Sequence, residues 1–261
     1  MSFQDYRYSI KVRSEASMDG HSEDGAIATG CLVRVFDAGT RTESTIYADK
    51  VRTAKTNIIS RTQFATDGGI EFYSAAASHD IYVANSDGSV AFFQGVTPNT
   101  RTVKLNTSTP YKCLVAEFAS ATTETDLAVD FPYGAHITRC FIEVIAIDAT
   151  ETIAVGLLAS ESNGDADGLL VTSAVGVAGL IDPVVTTDGS NVRYVSAIEY
   201  GALMYGGTEA NDVGTDLATD VGLTYFKGHH VTSTNAVSLS YTASAGSDTG
   251  TGLIFCDFVQ R

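Results

Sequence analysis

Three groups of residues have the types and spacing that chemistry uses. Asn163, Asp165 and Asp167 alternate ahead of Gly168, the way a calcium loop begins: oxygen ligands at every second position and a glycine at the sharp turn. Such a loop closes on a bidentate carboxylate at its twelfth position, and Ala174 stands there, so a polar turn is the better reading. His229 and His230 form the only histidine pair. Adjacent residues of a strand point to opposite faces, so one chain cannot easily offer both to one metal. After Lys227-Gly228 they read as a loop tip, although in a symmetric trimer three copies of either would line the axis. Asp165/Asp167 and Asp216/Asp220 are spaced for acid–base work on a sugar. With 31 acidic residues in the chain, such pairs are expected by chance. Tyr194, Tyr200 and Tyr205 would suit an aromatic sugar platform, but tyrosines more often pack a sandwich edge with the hydroxyl in water. There is no G-x-S-x-G, no HExxH, no phosphate-cradling Gly-Lys-Ser/Thr and no Cys/His neighbours. No enzyme, catalytic residue, cofactor or resident metal is therefore expected.

The elements that would position these residues are strands. The chain is organised around residues 131–168, where one apolar run (Cys140–Ile147) and a second (Ile153–Leu158) flank the polar break Asp148-Ala149-Thr150-Glu151. Two such runs across a short turn predict a β-hairpin. The first run is apolar on both flanks: Phe141, Glu143, Ile145 and Ile147 on one, Cys140, Ile142, Val144 and Ala146 on the other. A strand of that kind needs cover on both sides. One flank can face its own core; the other must meet another sheet, domain or subunit. Phe141, Glu143, Ile145 and Ile147 are the expected interface.

The 24 glycines, the scarcity of proline and the weight of Thr, Ser, Val and Ala favour strands and turns, and no sustained helical stripe is present. Residues 1–112 carry 12 basic and 12 acidic side chains, so 113–261 hold the remaining 4 of 16 basic and 19 of 31 acidic ones. This shift predicts a domain boundary near Tyr111–Cys113. The acidic half should repel nucleic acid and anionic lipid, and neither is an expected partner. The four cysteines are far apart and sit in or beside apolar runs. They read as reduced thiols of a protein assembled in the cytoplasm. The start, MSFQDYRYSIKVRSE, lacks a signal-peptide core, and no stretch is long and apolar enough for a helical membrane span.

Residues 6–12 alternate strictly, with Tyr6, Tyr8, Ile10 and Val12 on one face and Arg7, Ser9 and Lys11 on the other. This strand is either an arm (residues 1–25) that pairs with another sheet edge or the first strand of the N-terminal domain. As an arm it would make Tyr6, Tyr8, Ile10 and Val12 interface residues. Residues 26–105 read as short strands with frequent turns, a small β-sandwich, with one helical turn at Ser74–Ser78. A linker at 106–111 leads to 112–261, where eight to ten short strands argue for a larger antiparallel, jelly-roll-like sandwich. Its last two runs, Val237–Tyr241 and Leu253–Val259, read as a terminal pair.

The succession VRVFDAGT, STIYADK, Asn57, ATDGGIEFYSA and HDIYVANSDG, over about residues 30–90, resembles a transthyretin- or carboxypeptidase-regulatory-like β module found in tailed-phage virion proteins. The chain departs from that pattern at Ile58, where a proline follows the Asn, and at His79, where a Tyr stands. The resemblance implies an attachment or spacer role without catalytic residues. The order FPYGAHIT, apolar strand, AVGLLASESNGDADG is similar to C-terminal sandwiches of phage capsid-decoration and head-fibre proteins. Together these imply a virion protein on the outer capsid surface: a homotrimeric decoration (cement) protein whose partners are the major capsid protein or other virion proteins. The alternative is a receptor-binding fibre or spike that takes a host glycan.

Overall fold

The computed structural model describes residues 5–14, 27–28, 30–67, 69–119, 121–161, 164–182, 185–188, 191–194, 202–204, 228–231, 236–244 and 249–260. The fold is all-β, in two compact units, Met1–Thr109 and Pro110–Arg261.

In the first unit the strands are β1 (Tyr6–Ser14), β2 (Leu32–Asp37), β3 (Ile46–Tyr47), β4 (Ala54–Lys55), β5 (Ile58–Ile59), β6 (Ile70–Ser74), β7 (His79–Ala84), β8 (Val90–Val96) and β9 (Thr102–Leu105). They form two sheets, β4-β3-β6-β1-β9 and β5-β2-β7-β8. The alternation of β1 carries through: Tyr8, Ile10 and Val12 are fully buried, among Val33, Val35, Phe64, Ile70, Phe72, Ile81 and Val83. Tyr8 stacks on Phe72 at 4.5 Å between ring centroids. β1 pairs antiparallel with β6 (Tyr8 opposite Phe72) and parallel with β9 (Val12 opposite Val103). The expected docking arm is therefore corrected. Tyr8, Ile10 and Val12 serve the core of their own unit, with Tyr6 packed against it, because backbone partners wait on both sides of the strand. The predicted helical turn at Ser74–Ser78 is also replaced; the helix, α1, lies at Arg61–Asp67.

The second unit contains β10 (Tyr111–Phe118), β11 (Thr125–Phe131), β12 (His136–Ala146), β13 (Thr152–Leu157), β14 (Asp165–Ala174), β15 (Gly179–Ile181), the pair β16 (Val185–Asp188) and β17 (Asn191–Tyr194), β18 (His229–His230), β19 (Val237–Ala243) and β20 (Thr251–Val259). One sheet runs β10-β20-β12-β15 with β18 also on β12; the other runs β11-β19-β13-β14. Leaving aside the insertion between β15 and β19, each strand from β10 to β20 lies in the sheet opposite its predecessor, except that β13 and β14 pair within one sheet. That is jelly-roll connectivity. The core between the sheets holds Leu114, Phe118, Phe131, Ile137, Cys140, Ile142, Ile153, Val155, Leu157, Leu239, Ile254 and Phe258, among others.

This topology overturns the predicted hairpin. β12 and β13 lie in opposite sheets, and so do β19 and β20. The polar break between β12 and β13 is a crossing, and its carboxylates point inward: Asp148 and Glu151 are both buried. Asp148 Oδ1 accepts from the Thr150 amide at 2.9 Å, and Glu151 Oε2 accepts from the Gly250 amide at 3.1 Å. Backbone bonds from Asp148 N to Val175 O and from Val175 N to Glu151 O tie the crossing to the β14–β15 connection. Leu203 sits in a short 3-10 turn at Ala202–Met204.

Candidate interaction surface

In a two-layer sandwich each sheet turns one face to the core and one outward. The two outward faces of the second unit differ in chemistry. On β19, Val237, Leu239 and Tyr241 enter the core, so Ser238 and Ser240 face out. Their hydroxyls are held by carboxylates: Ser240 Oγ donates to Glu124 Oε1 at 2.8 Å, and Ser238 Oγ to Asp130 Oδ1 at 2.9 Å. Glu161 Oε2 takes the Ser238 amide at 2.8 Å. This is a polar face finished within the chain.

The outward face of β10-β20-β12-β15 carries an apolar strip, with Glu117, Asp257, Arg139 and Glu143 on the same face. Register places Val115, Phe255 and Phe141 side by side on three strands. Phe141 and Phe255 stack with centroids 4.9 Å apart and planes 2° from parallel. The Arg139 guanidinium lies 4.4 Å from the Phe141 centroid and pairs with Asp182. Along the next row Leu253 stands opposite Glu143, and Glu143 opposite Leu180. The middle of this face is covered, with Val115 and Leu253 fully buried and Phe255 nearly so. Its β12–β15 rim is open: Ile145 is 41% exposed, Ile147 53%, Leu180 60% and Val177, in the turn before β15, 72%. Ile145 is the extra residue of a bulge, since Val144 faces Gly252 and Ala146 faces Thr251. Of the eight residues expected at an interface, Phe141 and Glu143 lie on this outward face, Ile145 stands at its bulge, and Ile147 is exposed just past the end of β12. Tyr8, Ile10 and Val12 belong to the core of the first unit, with Tyr6 packed against it. Leu180 and Val177 escaped sequence reading because β15 is only three residues long, and Gly179–Ile181 carries no strand pattern of its own.

The residues considered for chemistry are dispersed. Asp165 and Asp167 lie where β14 bulges, between Leu170 opposite Val155 and Asp165 opposite Leu157. The Asp165 carboxyl is pushed up to about 6, first by burial and then by the hydrogen bond and like charge of Asp167. The bulge brings its backbone against Gly156, where any Cβ would collide with the Asp165 carbonyl. His229 and His230 form a short strand on β12 instead of the expected loop tip, with His230 opposite His136 and their ring centroids 6.3 Å apart. Among the described residues no three His, Cys, Asp or Glu side chains converge as a metal site. Asn163, Tyr200, Tyr205, Asp216 and Asp220 lie outside the described residues, as does the side chain of Tyr194.

One constellation was invisible in the sequence. In the first unit Ser44 Oγ donates to Asp37 Oδ1 at 2.6 Å and lies 2.9 Å from His79 Nδ1. A nucleophilic triad needs histidine between serine and carboxylate. Here serine is in the middle, its proton is committed to Asp37, and both Ser44 and His79 are buried. His79 Nδ1–H then donates to Ser44 Oγ. Its Nε2 has no partner, and the ring stands edge-on to Tyr8 and Phe72. Burial holds this imidazole below its ordinary pKa. The arrangement ties the start of β7 to the end of β2 and lacks the order of groups that a nucleophilic triad needs.

Comparison with models of protein families, with curated proteins and with solved structures finds no match to this chain.

Proposed function

We propose that this chain is a structural protein of a virus particle: a capsid decoration protein that binds the assembled head from outside as a homotrimer. The observation that carries the reading is the asymmetry of the second unit, one outward face finished with serine–carboxylate bonds and the other bearing an apolar strip with an open rim. A sandwich working alone has water on both outer faces and a polar finish on both. Exposed apolar rims mark docking surfaces. Burial of Ile145, Ile147, Val177 and Leu180 against a neighbouring subunit would gain ~25 cal/mol per Å² before association costs. Jelly rolls build viral capsid and lectin domains alike, so architecture supports the class by analogy and the rim supplies the mechanism. A protein that binds the assembled lattice and not its free pieces stabilises the shell by mass action.

The test is mass by light scattering together with binding to emptied shells. We expect a particle of three 27.5 kDa chains that binds shells. Ile145→Asp should lower the mass to one chain while leaving the circular dichroism spectrum unchanged. A wild-type monomer at all concentrations that ignores shells would end this reading. Specific glycan capture on an array without shell binding would replace it with a receptor-binding spike.

A further inference from the structure

Cys140 and Cys256 stand directly opposite each other on β12 and β20, side chains toward the core, with Sγ atoms 3.1 Å apart. We propose that this pair is a site of covalent modification, closing into a cross-strand disulfide by exchange with a small-molecule disulfide such as oxidised glutathione. The inference is independent of the virion reading.

The geometry is close to that of the product. Opposed residues of an antiparallel pair have Cα atoms ~4.5 or ~5.5 Å apart. Disulfides span ~4.4–6.8 Å between Cα atoms, with sulfurs at ~2.05 Å. Only about an ångström of sulfur movement separates the thiol pair from a bond, within reach of small χ1 rotations. Cys113 is no competitor. Its neighbour Leu114 is the residue that faces Cys256 on the core side, so the Cys113 thiol lies on the opposite face of the sheet. Cys31 belongs to the other unit.

The exchange balances in two steps. The Cys256 thiol gives up its proton, and the thiolate attacks one glutathione sulfur, expelling glutathione thiolate, which takes a proton. The Cys140 thiolate then attacks the Cys256 sulfur of the mixed disulfide and expels the second glutathione. Two protein thiols are oxidised and one glutathione disulfide is reduced to two thiols. Both cysteines are fully buried, and burial pushes the Cys256 thiol well above its ordinary range. Only the thiolate attacks, so the folded pair is inert. Exchange runs while the β12–β20 ladder is open, during folding or transient opening, and the bond is then sealed inside the core.

The experiment is to refold the full chain from urea in a glutathione redox buffer, block free thiols with iodoacetamide in concentrated urea and map the peptides by mass spectrometry. A Cys140–Cys256 link with Cys31 and Cys113 alkylated is the expected result, unchanged by Cys113→Ser and lost in Cys256→Ser. Folded chain in the same buffer without urea should keep four alkylatable cysteines far longer. If the chain does not refold, the same map is made on folded protein held in sub-denaturing urea. A dominant link through Cys113 or Cys31 would overturn the proposal. So would four alkylated cysteines under conditions that oxidise a control dithiol.

Discussion

Ile10→Ala separates the two roles considered for the first strand. Ile10 is 1% exposed and sits between Tyr8 and Val12 in a strand paired on both sides. Truncating a buried isoleucine to alanine costs about 2–5 kcal/mol, the lost transfer energy plus the cavity left behind. At ~1.4 kcal/mol per tenfold, that raises the open population of the first unit roughly 30- to 4,000-fold. Cys31 reports on it. It is the only cysteine of its unit, fully buried, with its thiol pushed up to about 12 by burial. Labelling by a thiol reagent, read peptide by peptide, therefore follows opening of the unit when reclosing is fast. Cys31 labelling should accelerate by that factor, while Cys113, Cys140 and Cys256 keep their wild-type rates as an internal control. A docking arm would have allowed Ile10→Ala with no effect on Cys31. Labelling of Cys31 at the wild-type rate would thus refute the placement of β1 in the core.

Acid should act oppositely on the two units. His79 holds its proton more weakly folded than unfolded, so its stabilising contribution is complete above about pH 6.5 and is lost as pH falls below that value. Asp165 is raised to about 6 against an ordinary 3.8, so the second unit gains stability as pH falls from 7 toward 4. Cys31 labelling, corrected for reagent chemistry with unfolded chain, should therefore quicken on acidification while Cys140 labelling slows; if both quicken the Asp165 assignment fails, and if both slow the His79 assignment fails. Gly156→Ala should destabilise the second unit by about 1–3 kcal/mol or more, because the new Cβ meets the Asp165 and Ala166 backbone, and an unchanged urea midpoint would count against the bulge geometry. Leu180→Asp should match Ile145→Asp in lowering the mass by light scattering, since both side chains line the same open rim.

Much of the architecture was legible, but only where the information is local. Strict alternation over residues 6–12 identified a strand and its buried face correctly. What it could not contain was the partner, because the ladder to β6 joins residues sixty or more positions apart and alternation reads the same for an arm and a core strand. The break at Asp148–Glu151 failed for a related reason. Two apolar runs across a short polar gap suit a hairpin and an inter-sheet crossing equally. Here β12 is claimed by β20, more than a hundred residues on, and β13 by β19 and β14. The inward Asp148 and Glu151 then look like an ordinary turn until Thr249 and Gly250 arrive to bind them. The rim was half legible: Ile145 and Ile147 stood out because their strand was apolar on both flanks, while Leu180 needed the fold to bring it beside Glu143.

Cys140, Ile142 and Val144 are at most 2% exposed, so the inward flank is satisfied by the molecule itself. On the outward flank, exposure rises along the strand from half-buried Phe141 to open Ile145 at the bulge. A face meant for water would place its polar residues where exposure is highest. This one places Glu143 beside the covered Leu253 and leaves isoleucine, leucine and valine at the rim. The opposite sheet, built from the same chain under the same acidic composition, solves its outward face with serine hydroxyls and carboxylates. Composition therefore does not force an apolar rim, and among the described residues the contrast between the two faces supports the proposal that this one is covered.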